Sequence, residues 1–323
     1  MKIKTYQELP RKPTLNHIYD VFRQEKQANQ FLYKYKIFNA PKCTSCSNSP
    51  QCSVQLPTQF DRSKFACDLP YVYRCPNTHR HVYKLTHGSI LAGNTKVTPF
   101  EFIKMVYLYS TKAVSPTIQN LTGLSDKTVN HYLGKVIRPA VAEFVQEWYK
   151  SVQWKNDEAT QIDEMKTRRK TKHNQGANKP AKTGGWGIVM CNKDEAVVKL
   201  VDYRTKDTVE TVVLQFNGEG QPINVDGFKS YKDLFKYGYP VCTTEHKYSY
   251  VNYRNRKAHT NKVEGLNGCI RRWLSRYLGF KTDTALNDAL QEWAFFYNFK
   301  NHPKGLFLLV MDALAWKYGK EAH

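Results

Sequence analysis

At Glu158 the apolar spacing of this sequence changes period, and that change limits the fold more than any other feature. Before it the pattern is helical. After it, short alternating or apolar runs bounded by turn residues take over. Residues 159–165, 186–191 and 196–203 read as three strands, the last two separated by a short Asn192-Lys193-Asp194 turn. Residues 208–216 then read as a helix, and 222–226 as a strand that stops at Gly227. A short helix over 230–235, a strand near Val241 and a further helix complete the series. Three strands followed by alternating helices and strands predict an α/β unit, a mixed sheet with helices around it.

The N-terminal half reads differently. A helical stretch is expected over 15–35. Thr98-Pro99 opens another helix, with Thr98 as cap, Pro99 at the first helical position and Phe100, Ile103, Val106 and Tyr107 at helical spacing. Residues 115–133 predict two short helices joined at Gly123. Ser125 caps the second, and Val129, Leu133 and Val136 form its buried face. This is helix-turn-helix spacing, which presents Lys127, Asn130 and His131 outward as candidate DNA contacts. A helix over 140–151 leads into the strand-rich half.

Charge and cysteine usage narrow the function. Lys and Arg number 49 against 28 Asp and Glu, a net charge of +21, while 41% of residues are hydrophobic. The apolar fraction argues for a packed core rather than disorder. No run approaches the roughly 18 apolar residues of a membrane span, and no apolar segment of secretory type follows Met1-Lys2-Ile3-Lys4. Excess positive charge points to a polyanion, most simply nucleic acid. Five of the eight cysteines fall between Cys43 and Cys75, opening with Cys43-Thr-Ser-Cys46. Soft thiolates and an imidazole at such spacing suit Zn²⁺, so Cys43, Cys46, Cys75 and His79 are the preferred ligand set of a small zinc ribbon. Cys52 and Cys67 compete, and His81 is an alternative to His79. Strand-like alternation on either side of Cys75 agrees with a ribbon.

Three carboxylates stand out by position. Asp163 lies in the strand Thr160-Gln-Ile-Asp-Glu-Met165. Asp226 ends its strand beside Gly227, sharing a face with Asn224. Glu264 opens a helix whose expected buried stripe is Val263, Leu266, Ile270, Trp273 and Tyr277. Arg271, two turns on, shares the side of Glu264. Gly265 and Gly268 flank that side. Glycine inside a helix costs about 1 kcal/mol relative to Ala, so a reason is expected there, such as close approach of another backbone. Singly, each acid has a structural reading: Asp226 as a turn residue, Glu264 as half of a capping box with Asn261. Together they are the minimum equipment for two Mg²⁺ (or Mn²⁺) ions, which clamp the attacking and leaving oxygens of a phosphodiester displacement.

At these residues the sequence resembles the Merlin-type transposases and their bacterial insertion-sequence relatives. The resemblance rests on Ile162-Asp163-Glu164, on Ile223-Asn-Val-Asp226-Gly227 with Tyr231 after it, and above all on His259-Thr-Asn-Lys-Val-Glu264-Gly265. It implies an RNase H-like fold in which Asp163, Asp226 and Glu264 hold the two ions. Water, then a DNA 3′-hydroxyl, attacks phosphodiesters at the ends of an element. Arg271 occupies a position where the family commonly has Lys, and Asn261 is a rival to Glu264 because some members use Asn. The basic loop 166–185, with Arg168, Arg169, Lys170 and Lys172, is placed to follow a DNA backbone. The domains expected are a helical segment (1–40), a zinc-ribbon-like module (41–92), a helix-turn-helix-like region (93–152), an RNase H-like domain (153–302) and a tail (303–323).

The partners implied are double-stranded DNA, as terminal inverted repeats and as target, and a second copy of the chain, since two DNA ends are handled together. The location implied is the nucleus of a eukaryotic host or the cytoplasm and nucleoid of a bacterium. Three other readings keep parts of this picture: a domesticated DNA-binding protein that no longer cuts, a zinc-ribbon transcription regulator, and a nuclease or resolvase of the same fold.

Overall fold

The computed structural model describes residues 5–38, 72–74, 82–84, 89–91, 97–167, 185–227, 229–231, 233–244, 259–277, 279–280 and 282–319. It divides into two compact units, Met1–Phe144 with Asn301–His323, and Val145–Lys300.

In the first unit, the stretch expected as one helix is two: α1 (Leu15–Phe22) and α2 (Glu25–Lys34). Thr14 caps α1 reciprocally with His17, and Gln24 takes extended backbone ahead of α2. The break lets both stripes bury in one core, bringing the Phe22 and Phe31 rings to 4.8 Å. Strands β1 (Val72–Arg74) and β2 (Val82–Lys84) pair antiparallel, Tyr73 opposite Tyr83. The zinc-ligand candidates Cys43, Cys46, Cys75 and His79, with Cys52, Cys67 and His81, lie outside the described residues.

Helix α3 (Pro99–Ser110) starts as its sequence requires. Thr98 Oγ1 accepts from Glu101 N–H, and Glu101 returns to Thr98 N–H at 2.7 Å. Helices α4 (Ser115–Thr122) and α5 (Asp126–His131) follow, joined at Gly123, whose φ of 73° suits a residue without a Cβ. Ser125 caps α5, and Val129, Leu133 and Val136 are buried as expected. The chain then passes through a π-helical turn, Tyr132–Ile137, into α6 (Arg138–Tyr149), which begins two residues earlier than predicted. Pro139 has no N–H to offer the preceding turn. The carbonyls of Lys135 and Val136 accept from the Tyr318 hydroxyl, at 3.3 and 3.1 Å.

The second unit is built on β3 (Thr160–Lys166), β4 (Trp186–Asn192) and β5 (Glu195–Val201), then α7 (Lys206–Phe216), β6 (Ile223–Asp226) and β7 (Val241–Thr244). The order across the sheet is β5-β4-β3-β6-β7. The β3–β4 and β4–β5 pairs are antiparallel, and β3–β6 and β6–β7 parallel. This is the mixed sheet, flanked by helices, that the sequence predicts. It places β3 at the centre, with β6 directly beside it. Helix α7 starts at Lys206 because Thr205 caps it. The single helix expected over 230–235 is two 3₁₀ turns, Lys229–Tyr231 and Leu234–Tyr237.

Helices α8 (Asn261–Leu274) and α9 (Asp283–Asn298) complete the unit. α9 closes the exposed edge of β5. Asn298 exchanges hydrogen bonds with the Ala196 N–H and carbonyl, Gln291 donates to the Val198 carbonyl, and the Tyr149 hydroxyl accepts from Val198 N–H. An edge strand whose backbone groups are satisfied by side chains does not recruit another strand. The last helix, α10 (Leu306–Tyr318), belongs to the first unit. Residues 303–323, expected as a tail, therefore include a helix that buries Phe307, Leu309 and Val310. Among the described residues no helix is long and apolar enough to cross a membrane.

Candidate active site

The three carboxylates singled out in the sequence sit on three adjoining elements of the second unit. Asp163 is in the middle of β3, and Asp226 is the last residue of β6. The parallel register pairs Ile162 with Val225, which puts the two acids on neighbouring strands one residue beyond that pair. Glu264 is in the first turn of α8, the helix that packs against β3 and β4. The Asp163 carboxyl is pushed up from its ordinary 3.8 to about 6, first by burial, then by the negative charge of Asp226, and to a smaller extent by Glu264. Two hydrogen bonds work against that rise: Glu164 N–H donates to Oδ1 at 2.8 Å, and Asn267 Nδ2 donates to Oδ2 at 2.6 Å. Surplus negative charge gathered on a half-buried acid is what a bound cation relieves.

Helix α8 corrects several details of the sequence reading. Asn261 is not its cap: it is the first helical residue, exposed, and Thr260 precedes it at the N-cap. Glu264 does not close a box with Asn261. Its Oε1 accepts from the Thr260 hydroxyl at 2.6 Å. The cap comes from across the fold, where Gln161 Oε1 accepts from Lys262 N–H at 3.0 Å and Val263 N–H at 3.3 Å. The buried stripe is Val263, Leu266, Asn267, Ile270 and Leu274, while Trp273 and Tyr277 are only half-buried. The expected close backbone approach at the glycines is also absent among the described residues. A Cβ at Gly265 would meet nothing within 4 Å, and one at Gly268 only the tip of the Arg272 side chain at 3.7 Å. Among the described residues, both glycines leave the helix surface near Glu264 open.

A second acid was missed as a separate feature. Glu164 alternates to the opposite face of β3 and is buried. It lies 3.7 Å from Arg204 and pairs with Tyr231, which follows Asp226 by five residues. Burial is the main reason its carboxyl rises to about 7, with Asp226 and Asp163 adding and Tyr231 and Arg204 opposing. Arg204 also stacks on Trp186, 4.1 Å from the ring centre. Its planar cation is thus held between an acid and an aromatic face. Asn267 and Gln161 were missed as well. The available signals were a polar residue inside the apolar stripe of α8, and a second polar residue on the Asp163 face of β3.

The other expected contacts divide. Arg271 is exposed near the end of α8. Lys127 and His131 are exposed on α5. Asn130 is exposed too, but tied into the hairpin: Ser115 donates to its Oδ1 at 2.8 Å, and its Nδ2 donates to Asp126 at 2.6 Å. Arg168, Arg169, Lys170 and Lys172 lie outside the described residues.

The donor set suits a hard divalent ion in kind, being carboxylates with one buried amide oxygen nearby, Oδ1 of Asn267, that has no partner among the described residues. Among the described residues, however, no three His, Cys, Asp or Glu side chains are gathered tightly enough to hold an ion as they stand.

Residues 155–298 match the family described as the ISXO2-like transposase domain. That segment, just under half of the chain, is similar to a DDE transposase family of the Merlin type. The matched segment covers the whole sheet together with α7, α8 and α9. No curated protein matches the chain. Among solved structures, a chain of the "Crystal structure of the Mos1 Strand Transfer Complex" is similar at 10% identity and a TM-score of 0.27, over 67% of this chain and 74% of that one.

Proposed function

We propose that this chain is a DNA transposase that binds the terminal inverted repeats of an element and carries out metal-dependent phosphodiester hydrolysis and strand transfer. The observation that carries the proposal is the placement of Asp163, Asp226 and Glu264 on adjoining elements of the segment that matches the transposase family; burial first, then the charges of Asp226 and Glu264, raise the carboxyl of Asp163. In this reading those three side chains hold Mg²⁺ or Mn²⁺. Such ions would supply, when bound, positive charge for the attacking and leaving oxygens of a phosphodiester displacement.

The chain's own residues do the rest. The Glu164 N–H and the Asn267 carboxamide fix the two oxygens of Asp163, and Thr260 holds one oxygen of Glu264. The open face at Gly265 and Gly268 leaves room for a DNA backbone beside Glu264. The net charge of +21 supplies counterion release on binding. Lys127 and His131 on the helix-turn-helix are candidate contacts to DNA. A second copy of the chain, handling the second DNA end, belongs to the same proposal.

The test is cleavage and joining on a supercoiled plasmid carrying the DNA that flanks the gene, with Mg²⁺ or Mn²⁺, comparing the native chain with Asp226→Ala. Metal-dependent joining by the native chain alone supports the proposal. DNA binding without cleavage by either protein, in both metals, replaces it with a non-catalytic DNA-binding role.

A further inference from the structure

We propose that Asn267 is a positioning residue for the reaction, setting the orientation of Asp163 and the register of α8 on β3. This role rests on the transposase reading of the same site. Helix α8 is tied to β3 at two points. At one, Gln161 Oε1 accepts from the N–H groups of Lys262 and Val263; at the other, Asn267 Nδ2 donates to Asp163 Oδ2. Gln161 and Asp163 are alternate residues of one strand, about 7 Å apart along it. Lys262 and Val263 precede Asn267 by five and four residues, about 6–7.5 Å of helix rise. The two spacings agree, so both bonds form only in one register. Glu264 lies between the two tie points, and that register brings it alongside Asp163.

The character of Asn267 supports the assignment. It is 2% exposed, in line with the fully buried Val263 and Ile270, at a position where an apolar side chain packs without cost. A carboxamide there must find partners or lose stability. One half of it finds Asp163, while the buried Oδ1 has no partner among the described residues. A neutral donor also suits the place electrically. It stabilises the charged carboxylate, whereas an acid at 267 would add to the repulsion that Asp163 already bears from Asp226 and Glu264.

The experiment uses the full chain and Mn²⁺ alone as probe, titrated calorimetrically without DNA, beside plasmid cleavage and the unfolding midpoint in EDTA. Three variants are compared: Asn267→Leu, which keeps the branched shape and removes the donor; Asn267→Gln, which keeps a donor; and Asp226→Asn as the reference for the site. Loss of an outer partner to a metal-ligating group costs roughly 10–100-fold in metal affinity or activity. The expected result is a loss of that size in Mn²⁺ affinity and cleavage rate for Asn267→Leu, with part of it recovered by Asn267→Gln and DNA affinity unchanged. Native-like Mn²⁺ binding and cleavage by Asn267→Leu overturns the proposal while leaving the transposase reading intact. So does an equal loss in the Leu and Gln variants that tracks their unfolding midpoints. Mn²⁺ binding that Asp226→Asn leaves untouched overturns the transposase reading itself, and this proposal with it.

Discussion

Asp163→Asn should make the metal-free protein more stable at neutral pH and leave it unchanged in acid. The Asp163 carboxyl rises from 3.8 to about 6 in the folded chain, so the native state holds this proton more tightly than the unfolded state does. Stability from such a group is fully present below about pH 4 and is lost as pH rises through about 6. At about 1.4 kcal/mol per pH unit, the gap amounts to about 3 kcal/mol of strain at pH 7.5. Because Asp163 is only half-buried, solvent screening trims the expected gain to about 1–3 kcal/mol. Asparagine keeps the shape and still accepts from Glu164 N–H. Asn267 can turn its carboxamide so that the unpartnered Oδ1 receives the new NH₂ group. The assay is urea unfolding in EDTA at pH 4 and pH 7.5, followed by tryptophan fluorescence. That signal reports mainly on the second unit, which holds five of the six tryptophans: Trp148, Trp154, Trp186, Trp273 and Trp293. Coincident curves at pH 4 and a more stable variant at pH 7.5 are expected. A difference that does not change with pH, or a less stable variant at pH 7.5, would show that Asp163 is not strained by its neighbours.

Three further outcomes follow from particular contacts. Gly268→Ala should stabilise the second unit by about 1 kcal/mol, because the added Cβ has room inside a helix; an unfolding midpoint lowered instead would mean the face is not open. Gly305→Ala should cost several kcal/mol and lower the yield of folded protein, because φ is 75° there and a Cβ would overlap the Arg11 carbonyl oxygen; a melting temperature equal to the native one would refute that packing. Lys127→Ala should lower the slope of log affinity for DNA against log salt by about 1 without moving the unfolding midpoint, since the residue is exposed; an unchanged slope would remove α5 from the DNA contact.

The positions of the three acids were legible because each is tied to a local pattern. Asp163 and Asp226 lie in alternating strands, and Glu264 opens an amphipathic helix. The caps at Thr98 and Ser125 and the turn at Gly123 were legible for the same reason: they depend on residues within one turn of one another. The reading failed wherever the partner came from far along the chain. α8 is capped not by its own neighbours but by Gln161, 101 residues away. The polar break in its apolar stripe is explained only by Asp163, 104 residues away. The glycines beside Glu264 suggested a reason such as close approach of a backbone, and among the described residues they meet none, because helix periodicity gives the side of a residue but not what lies opposite.

By itself the sequence determined where helix period yields to strand period, the charge that calls for a polyanion, and the residue types of the candidate site, since all three depend on composition or short-range spacing. Only the tertiary structure decided that β6 lies parallel beside β3, that Glu164 turns away from Asp163 toward Tyr231 and Arg204, and that Asn267 meets Asp163. These are matters of strand order and helix register. They are set by which buried surfaces and hydrogen-bonding groups are satisfied together, and no short window of sequence contains both partners.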